Sequence, residues 1–380
     1  MTRDEALEKF KNGEAAEIFQ KTHQKVRNEL IEKRDQYRET LRTAFWKILE
    51  KAKEYPDFLL QEVQFSYLQV HVMDGTYQWR VELHDDKGDF VETEIADTVE
   101  MKDFFVTYEA CREELYQEAS KYVATLTPAD CDAMMVDNFH RLKSYLELLG
   151  VYAFRDIDED ERFRTIDIKK IFRVLIGGRR DTAFVAFYKL EKPEDPEKIK
   201  ERLTKMPEEK DFTGSKLALF DFSGYQFEEC NISLRSLQFA NFRKSSFRYV
   251  EMLACKCIMS DWREATIKNG IFDGNLFNSS DFSYATIENT TFIGARFDVT
   301  PDIEDIPVNP TLIPVKFYKA KLNNVDFSGT YLAGCDFSGA EIGNVEFENA
   351  DMRNAKFPVK YRETLQLSDE QKQEICWVKD

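Results

Sequence analysis

The residues of this sequence best suited to proton transfer or metal binding are its histidines, which are few and dispersed. His23, His71, His84 and His140 are the only ones in 380 residues, and none lies in an H-E-x-x-H motif. Paired Cys-x-x-Cys ligands for zinc are also missing from the sequence. His23 lies in an apolar helical stripe, which favours a packed residue over a catalytic one. We therefore expect neither a metal site nor a cofactor.

Three other segments contain residue types that could take part in binding or catalysis. For each of them a simpler structural interpretation is favoured. Residues 84–86 and 156–161 are acidic, but they lack the EF-hand spacing and its bidentate Glu, which favours solvated turns. Residues 177–180, Gly-Gly-Arg-Arg, could hold an anion, yet no strand–loop–helix phosphate motif surrounds them, so a hairpin turn is expected. Cys255 and Cys257 are close in sequence but occupy inward repeat positions, where they should be inert.

Composition excludes some classes of function. The formal net charge of −17 argues against a basic groove for DNA or RNA, because such a groove must neutralise phosphates. Seven scattered cysteines suggest reduced core residues. The N-terminus has no apolar signal-peptide core, and no apolar run is long enough to span a membrane. These features predict a cytoplasmic protein that binds neither nucleic acid directly nor a membrane.

A five-residue periodicity dominates the C-terminal half. Every fifth residue from Phe212 to Phe297 is apolar, and the register resumes at Phe317 and continues to Phe357. The residue two positions before each centre is usually small, as at Ala285 and Ala340. Such a pattern predicts a coil with four sides and about 20 residues per turn, whose turns stack as a solenoid. The large repeat centres expected to form the core include Phe222, Phe242, Phe272, Phe282, Phe327, Phe337 and Phe347.

The units Val325–Gly329 (V-D-F-S-G) and Cys335–Gly339 (C-D-F-S-G) closely resemble the pentapeptide-repeat family. The resemblance implies an all-β, right-handed quadrilateral β-helix over residues 211–357. It also offers one function, that of a DNA mimic which protects or inhibits a type II topoisomerase such as gyrase. Most of the net negative charge lies outside residues 211–357, whereas a duplex mimic should concentrate it there.

Residues 298–314 interrupt the repeat and contain four prolines, which cannot donate to a β-ladder. We expect an extruded loop that replaces most of a coil. A solvated connection and a contact surface both remain open for it. The candidate contact residues are the acids Asp298, Asp302, Glu304 and Asp305.

Residues 358–380 are expected to cover the last coil. Ser368 and Gln371 fit a capping box, which predicts a short capping helix. Leu367, Ile375 and Trp377 could lie over the last Phe side chains. If these groups packed against a second copy instead, the protein would form a homodimer through the C-terminal cap, as related family members do.

Residues 1–195 predict an α+β domain of no recognised family. Apolar spacing indicates a long helix at 15–54 and further helices at 99–124 and 128–150. Alternation indicates one hairpin within 62–95, around Asp74-Gly75, and another over 172–190. The charged, proline-bearing residues 196–210 are expected to be a linker.

No set of residues marks an active site, so the leading hypothesis is a non-enzymatic interaction or scaffold protein with a protein partner. The topoisomerase modulator is the first alternative. The second is an enzyme or a peptide-binding accessory with its site in residues 1–195, because a novel site would show no motif.

Overall fold

The chain folds as two compact units, whose described residues lie within 1–191 and from 192 onward. A computed structural model describes residues 2–55, 58–67, 76–85, 95–123, 125–167, 171–178, 183–192, 195, 198, 220–298 and 313–379. The expected linker at 196–210, apart from Lys198, and the first repeats at 211–219 lie outside these ranges.

The described residues of the first unit include four α-helices. The predicted long helix is observed as α2, and its apolar stripe, which includes Val26, Leu41 and Phe45, is buried. A preceding helix, α1, was not predicted. It begins at a capping box in which the Thr2 hydroxyl accepts from the Glu5 N–H and the Glu5 carboxylate accepts from the Thr2 N–H. The helices are α1 (Arg3–Asn12), α2 (Glu14–Ala52), α3 (Lys102–Ala119) and α4 (Pro128–Phe154).

These helices accompany a five-stranded sheet of order β3-β2-β1-β4-β5. Both predicted hairpins are present, as the antiparallel pairs β1–β2 and β4–β5. The sequence did not reveal that β1 and β4 pair in parallel and so join the two hairpins. The residues expected to form the turn of the first hairpin, Asp74-Gly75, lie outside the described ranges. The strands are β1 (Glu62–Tyr67), β2 (Gln78–His84), β3 (Ala96–Glu100), β4 (Ile171–Gly178) and β5 (Ala183–Leu190).

The second unit is a stack of coils whose bridged residues pair in parallel, 20 positions apart in most of the stack. Asp221 bridges Asn241, for example, and Asn241 bridges Asp261. Between coils, the Phe222 N–H donates to Asn241 O at 2.7 Å, and this bond recurs around the stack. The longest sheet has the order β11-β10-β9-β8-β7-β6, and β12 also pairs with β10. These strands are β6 (Gln226–Glu228), β7 (Ser246–Arg248), β8 (Thr266–Lys268), β9 (Thr286–Thr291), β10 (Lys321–Asp326), β11 (Glu341–Ile342) and β12 (Val345–Glu346).

The repeat centres form ladders of stacked rings inside the coils. All described centres are buried. Phe337 stacks on Phe317 with ring centroids 4.6 Å apart and on Phe357 at 4.3 Å. A second ladder joins Phe327 to Phe347 at 5.6 Å. Because each ring is sandwiched between rings of the neighbouring coils, the core couples each coil mainly to its two neighbours.

The chain turns at corners that use left-handed backbone geometry two residues after most centres. Gly329 and Gly339 occupy this position with φ of 62° and 68°, where glycine has no steric penalty. Leu234 and Tyr249 adopt the same geometry, with φ of 59° and 54°. The corner is therefore imposed by the stack even where the residue type disfavours it.

The break in the repeat is an insertion at one corner, and our expectation that it replaces most of a coil is wrong. Asp281 bridges Lys316 and Arg296 bridges Tyr331, each pair 35 residues apart instead of 20, so 15 residues are added. The ladder continues across the insertion, with Phe282 and Phe317 stacked at 5.0 Å. No side of the coil is missing among the described residues on either side of this corner.

The C-terminal residues lie against the last coil. The predicted helix start is observed, with the Ser368 hydroxyl accepting from the Gln371 N–H and the Gln371 side chain accepting from the Ser368 N–H. Trp377 packs near Phe357, with ring centroids 6.4 Å apart. The elements here are β13 (Lys356–Pro358), α5 (Asp369–Glu374) and β14 (Cys376–Val378), and β13 pairs with β14 in parallel.

Candidate functional site

The histidines that the structure describes are not gathered into a site. His23 is within hydrogen-bond distance of Asn138 Oδ1, at 3.1 Å. His84 lies at the end of β2, buried and opposite Glu62. His71 and the side chain of His140 lie outside the described part of the chain. Within that described part, no cluster of three or more His, Cys, Asp or Glu could hold a metal ion, and no helix is long and apolar enough to cross a membrane.

The inward cysteines of the second unit are poor nucleophiles. Burial raises the pKa of the Cys255 thiol to about 12. Burial also raises the pKa values of Cys257 and Cys335 well above the usual range. Because the thiolate is the reactive species, these side chains should act as core residues.

An ion pair with a buried carboxylate lies in the sheet of the first unit. The Glu62 carboxylate is 1% exposed and lies 2.8 Å from Arg173 Nη2, across the parallel β1–β4 pair. His84 faces Glu62 from the other neighbouring strand. The sequence did not single out Glu62 or Arg173, because their proximity depends on the unpredicted pairing of β1 with β4. A paired buried carboxylate is most simply structural, since removing Arg173 would leave the charge of Glu62 buried and unpaired.

A groove of about 970 Å³ lies at the end of the coil stack in the second unit. One wall is the last coil, over residues 343–353, and the other is the C-terminal segment, over residues 364–374. We call this recess the terminal groove. It lies where the next coil would stack if the repeat continued.

The coil wall of the terminal groove is an unpaired sheet edge. In the coil beneath, the Phe327 N–H donates to Glu346 O at 2.9 Å and the Gly329 N–H donates to Glu348 O at 2.8 Å. The equivalent donors in the last coil are the N–H groups of Phe347 and Asn349. Neither has an acceptor among the residues that the structure describes, and the outward carbonyl of Val345 has no donor there.

One side chain of the opposite wall donates to two backbone carbonyls of the last coil. Gln371 Nε2 donates to Phe347 O at 2.9 Å and to Ala350 O at 3.0 Å. Nearby, the Cys376 N–H donates to Ala355 O at 2.8 Å. The C-terminal segment thus satisfies some polar groups of the last coil and leaves the Val345–Asn349 edge open.

The terminal groove is acidic. Glu346 and Glu348 project from its coil wall, and Glu370 and Glu374 belong to α5 on the other wall. Arg353 is the one basic residue among the lining residues. It forms a salt bridge with Asp351 at 2.7 Å, and its hydrogen bond holds the pKa of that carboxyl below the usual value. The other carboxylates therefore give the groove a net negative charge.

The predicted site residues divide into two groups. The seven large centres, including Phe222 and Phe347, are core residues and offer no surface for binding. Asp298 was expected to be a contact residue, but it is 5% exposed and bonds to Arg296 at 2.9 Å. It is thus part of the coil wall. The remaining loop acids, Asp302, Glu304 and Asp305, lie outside the described ranges.

Comparison with known proteins identifies the repeat. A family model described as "Pentapeptide repeats" matches residues 317–357 with eight copies. The described coils from Phe220 onward follow the same register, as their 20-residue bridges show. No curated protein sequence matches the chain.

Several solved pentapeptide-repeat structures are similar to part of the chain. HetL, involved in heterocyst differentiation regulation in the cyanobacterium Nostoc sp. strain PCC 7120, is 12% identical, covers 38% of this chain and 91% of its own, and has a TM-score of 0.15. Rfr23 from the cyanobacterium Cyanothece 51142 is 11% identical, covers 35% of this chain and 88% of its own, and has a TM-score of 0.18. QnrB1, a plasmid-mediated fluoroquinolone resistance protein, is 14% identical, covers 43% of this chain and 91% of its own, and has a TM-score of 0.22.

Proposed function

Because the C-terminal half of this chain belongs to the pentapeptide-repeat family, we propose that the protein is a non-enzymatic interaction or scaffold protein. The supporting observation is the closed core of the coil stack. Each described centre is buried and each ladder is continuous, so recognition by the coils must use their outer surface or their ends. A fold that couples each coil to its neighbours holds those outer positions at fixed separations.

The proposal includes finer features. We take the coil to be a right-handed quadrilateral β-helix, with residues 358–380 as its cap and residues 1–195 as a separate domain that contributes specificity. A protein partner is expected, and a homodimer through the cap is a further hypothesis. The Gln371 bonds to Phe347 O and Ala350 O support the capping role, since they satisfy terminal carbonyls of the last coil.

The interaction hypothesis is preferred to the DNA-mimic hypothesis because of how charges stack on the coils. Lys268 lies 2.9 Å from Glu288 one coil away, and Arg248 lies 3.5 Å from Glu228. Such cross-coil pairs neutralise acids that a duplex mimic would leave unpaired. In a supercoiling assay we expect no effect of the purified protein on gyrase. Inhibition or protection at micromolar protein, abolished by charge reversal on the coils, would restore the alternative.

Site-specific photo-crosslinking in cells tests the proposal. A photoreactive aromatic residue is placed at Tyr249 or Tyr284, which are exposed on the coils, and at Val123, which is exposed on the first unit. We expect light-dependent adducts with the same protein from both coil positions. If neither coil position gives an adduct above the dark control, the coils are not the interaction surface. Adducts from Val123 alone would move the function to the first unit.

A further inference from the structure

We propose that the terminal groove binds an extended basic peptide segment of a partner protein, which adds as a strand to the edge Val345–Asn349. This inference rests on the proposed interaction function and specifies one site for it. The observation that carries it is an incomplete β-ladder within an acidic groove. Strand addition to an exposed sheet edge is a general mode of peptide recognition.

The register of the added strand follows from the coils beneath. There, the Phe327 and Gly329 N–H groups donate to carbonyls two residues apart in the next coil. A peptide residue above Glu346 would therefore accept from the Phe347 N–H, and the residue two positions later would accept from the Asn349 N–H. The N–H of the peptide residue above Glu346 would donate to Val345 O, as the Thr291 N–H donates to Gly270 O at 3.1 Å in a lower coil.

The backbone N–H of Phe347 also supports an added strand. Phe347 is 1% exposed as a residue, and its N–H has no acceptor among the described residues. Buried backbone N–H groups are nearly always hydrogen-bonded, because leaving one unpaired is costly. An arriving carbonyl oxygen would complete this bond. The Gln371 amide uses Phe347 O instead, so the two interactions do not compete.

Charge selects the chemistry of the occupant. Side chains of the peptide residues above Glu346 and Glu348 would lie about 4.8 Å from those of the coil, the usual spacing of paired strands. Lys268 and Glu288, which are register partners in adjacent coils, form an ion pair of 2.9 Å at this spacing. Lys or Arg at alternate peptide positions would therefore pair with Glu346 and Glu348, with Glu370 and Glu374 opposite.

Two other occupants fit less well. A second copy using the same edge would bring two acidic walls together, which is repulsive. The protein's own Leu365–Leu367 segment lies at the groove, but the Leu367 N–H is committed to Leu365 O at 3.0 Å. That local turn keeps residues 366 and 368 out of the ladder register. A basic segment of another protein is the occupant that both the backbone and the charges favour.

Fluorescence anisotropy with the full-length protein tests the inference. The probe is a short labelled peptide with Lys at alternate positions and Val or Thr between. Its controls are the same peptide with Glu for Lys and the same peptide with alternate backbone nitrogens methylated. We expect saturable binding of the Lys peptide, weakened about tenfold or more by the double substitution Glu346→Lys and Glu348→Lys. Glu264→Lys, an exposed change in a fully stacked coil, should leave binding unchanged.

Hydrogen exchange supplies an independent measurement. Exchange of the Phe347 and Asn349 amides should slow when the Lys peptide is bound and should not change with the Glu peptide. Equal binding of the two peptides, or binding indifferent to charge reversal or to methylation, would overturn the inference. The inference would also be overturned if the protein dimerised and Glu346→Lys with Glu348→Lys abolished the dimer, since the edge would then bind a second copy. If the protein does not bind the Lys peptide but still forms crosslinks from Tyr249 and Tyr284, the groove proposal is wrong and the proposed interaction function stands.

Discussion

The side-chain amide of Gln371 donates to the backbone carbonyl oxygen of Phe347 at 2.9 Å, and the same nitrogen reaches Ala350 O at 3.0 Å. Its oxygen accepts from the Ser368 N–H at 3.0 Å and so completes the capping box of α5. One side chain therefore begins the last helix and attaches it to the last coil.

Replacing Gln371 by Ala should loosen the C-terminal segment. Three hydrogen bonds of about 0.5–1.5 kcal/mol each would be lost, part of which water would recover. We expect faster exchange of the Cys376 amide, which bonds to Ala355 O in the β13–β14 region. Gln373→Ala is the matched control because Gln373 is exposed on the same helix. Equal exchange in the two variants would mean that the segment is held by Trp377 and its neighbours instead.

Phe337→Ala should be far more destabilising than Ser338→Ala. Truncating a buried Phe typically costs about 3–5 kcal/mol, and here the cavity also removes contacts with Phe317 and Phe357. Ser338 is partly exposed and uses its backbone N–H to bond to Asp336, so its variant should change stability by less than about 0.5 kcal/mol. Pulse proteolysis of the full chain across a urea series measures both. Equal midpoints would contradict the assigned register.

Thiol labelling should follow burial. Cys376 is exposed, whereas Cys257 and Cys335 are buried with raised pKa values and are therefore protonated at pH 8. We expect a maleimide or iodoacetamide reagent to modify Cys376 rapidly and to reach the other two only after unfolding. Cys376→Ser removes the fast phase. Labelling of Cys335 in the folded protein at a comparable rate would show that the coils open locally.

The insertion should be removable. Replacing residues 299–314 by one glycine deletes 15 residues and restores the 20-residue spacing of Phe297 and Phe317 relative to their neighbouring coils. Glycine is chosen because this corner position adopts positive φ in most other coils, a conformation that Pro314, if kept there, could not adopt. We expect an unchanged β-rich circular dichroism spectrum and protected Cys335. Loss of that protection would show that the inserted residues support the stack.

The five-residue register was predictable because an inward position repeats at a fixed interval, and the centres from Phe222 to Phe357 show it in residue type alone. The insertion was located but misread, since the count of residues does not tell whether a coil is shortened or a corner enlarged. The parallel contact of Glu62 with Arg173 was missed because the two residues are far apart in sequence and alternation carries no information on strand partners.

The terminal groove was missed for a different reason. Side-chain pattern tells which residues face inward, whereas the groove depends on backbone groups of Phe347 and Asn349 that lack partners. The corners were hidden as well, because Leu234 and Tyr249 adopt left-handed geometry without any compositional mark.

The corner between Phe297 and Phe317 shows that the coil stack can accommodate an inserted segment without a change in the spacing of its coils. The host requires only that the chain return in phase, with its next aromatic ring above the previous one, as Phe317 returns above Phe282. Inserted segments of different lengths can meet the same condition, since the flanking bridges fix only the positions where the chain leaves the coil and rejoins it. This corner is thus a position where an inserted segment can vary in sequence while the stacked aromatic core stays constant.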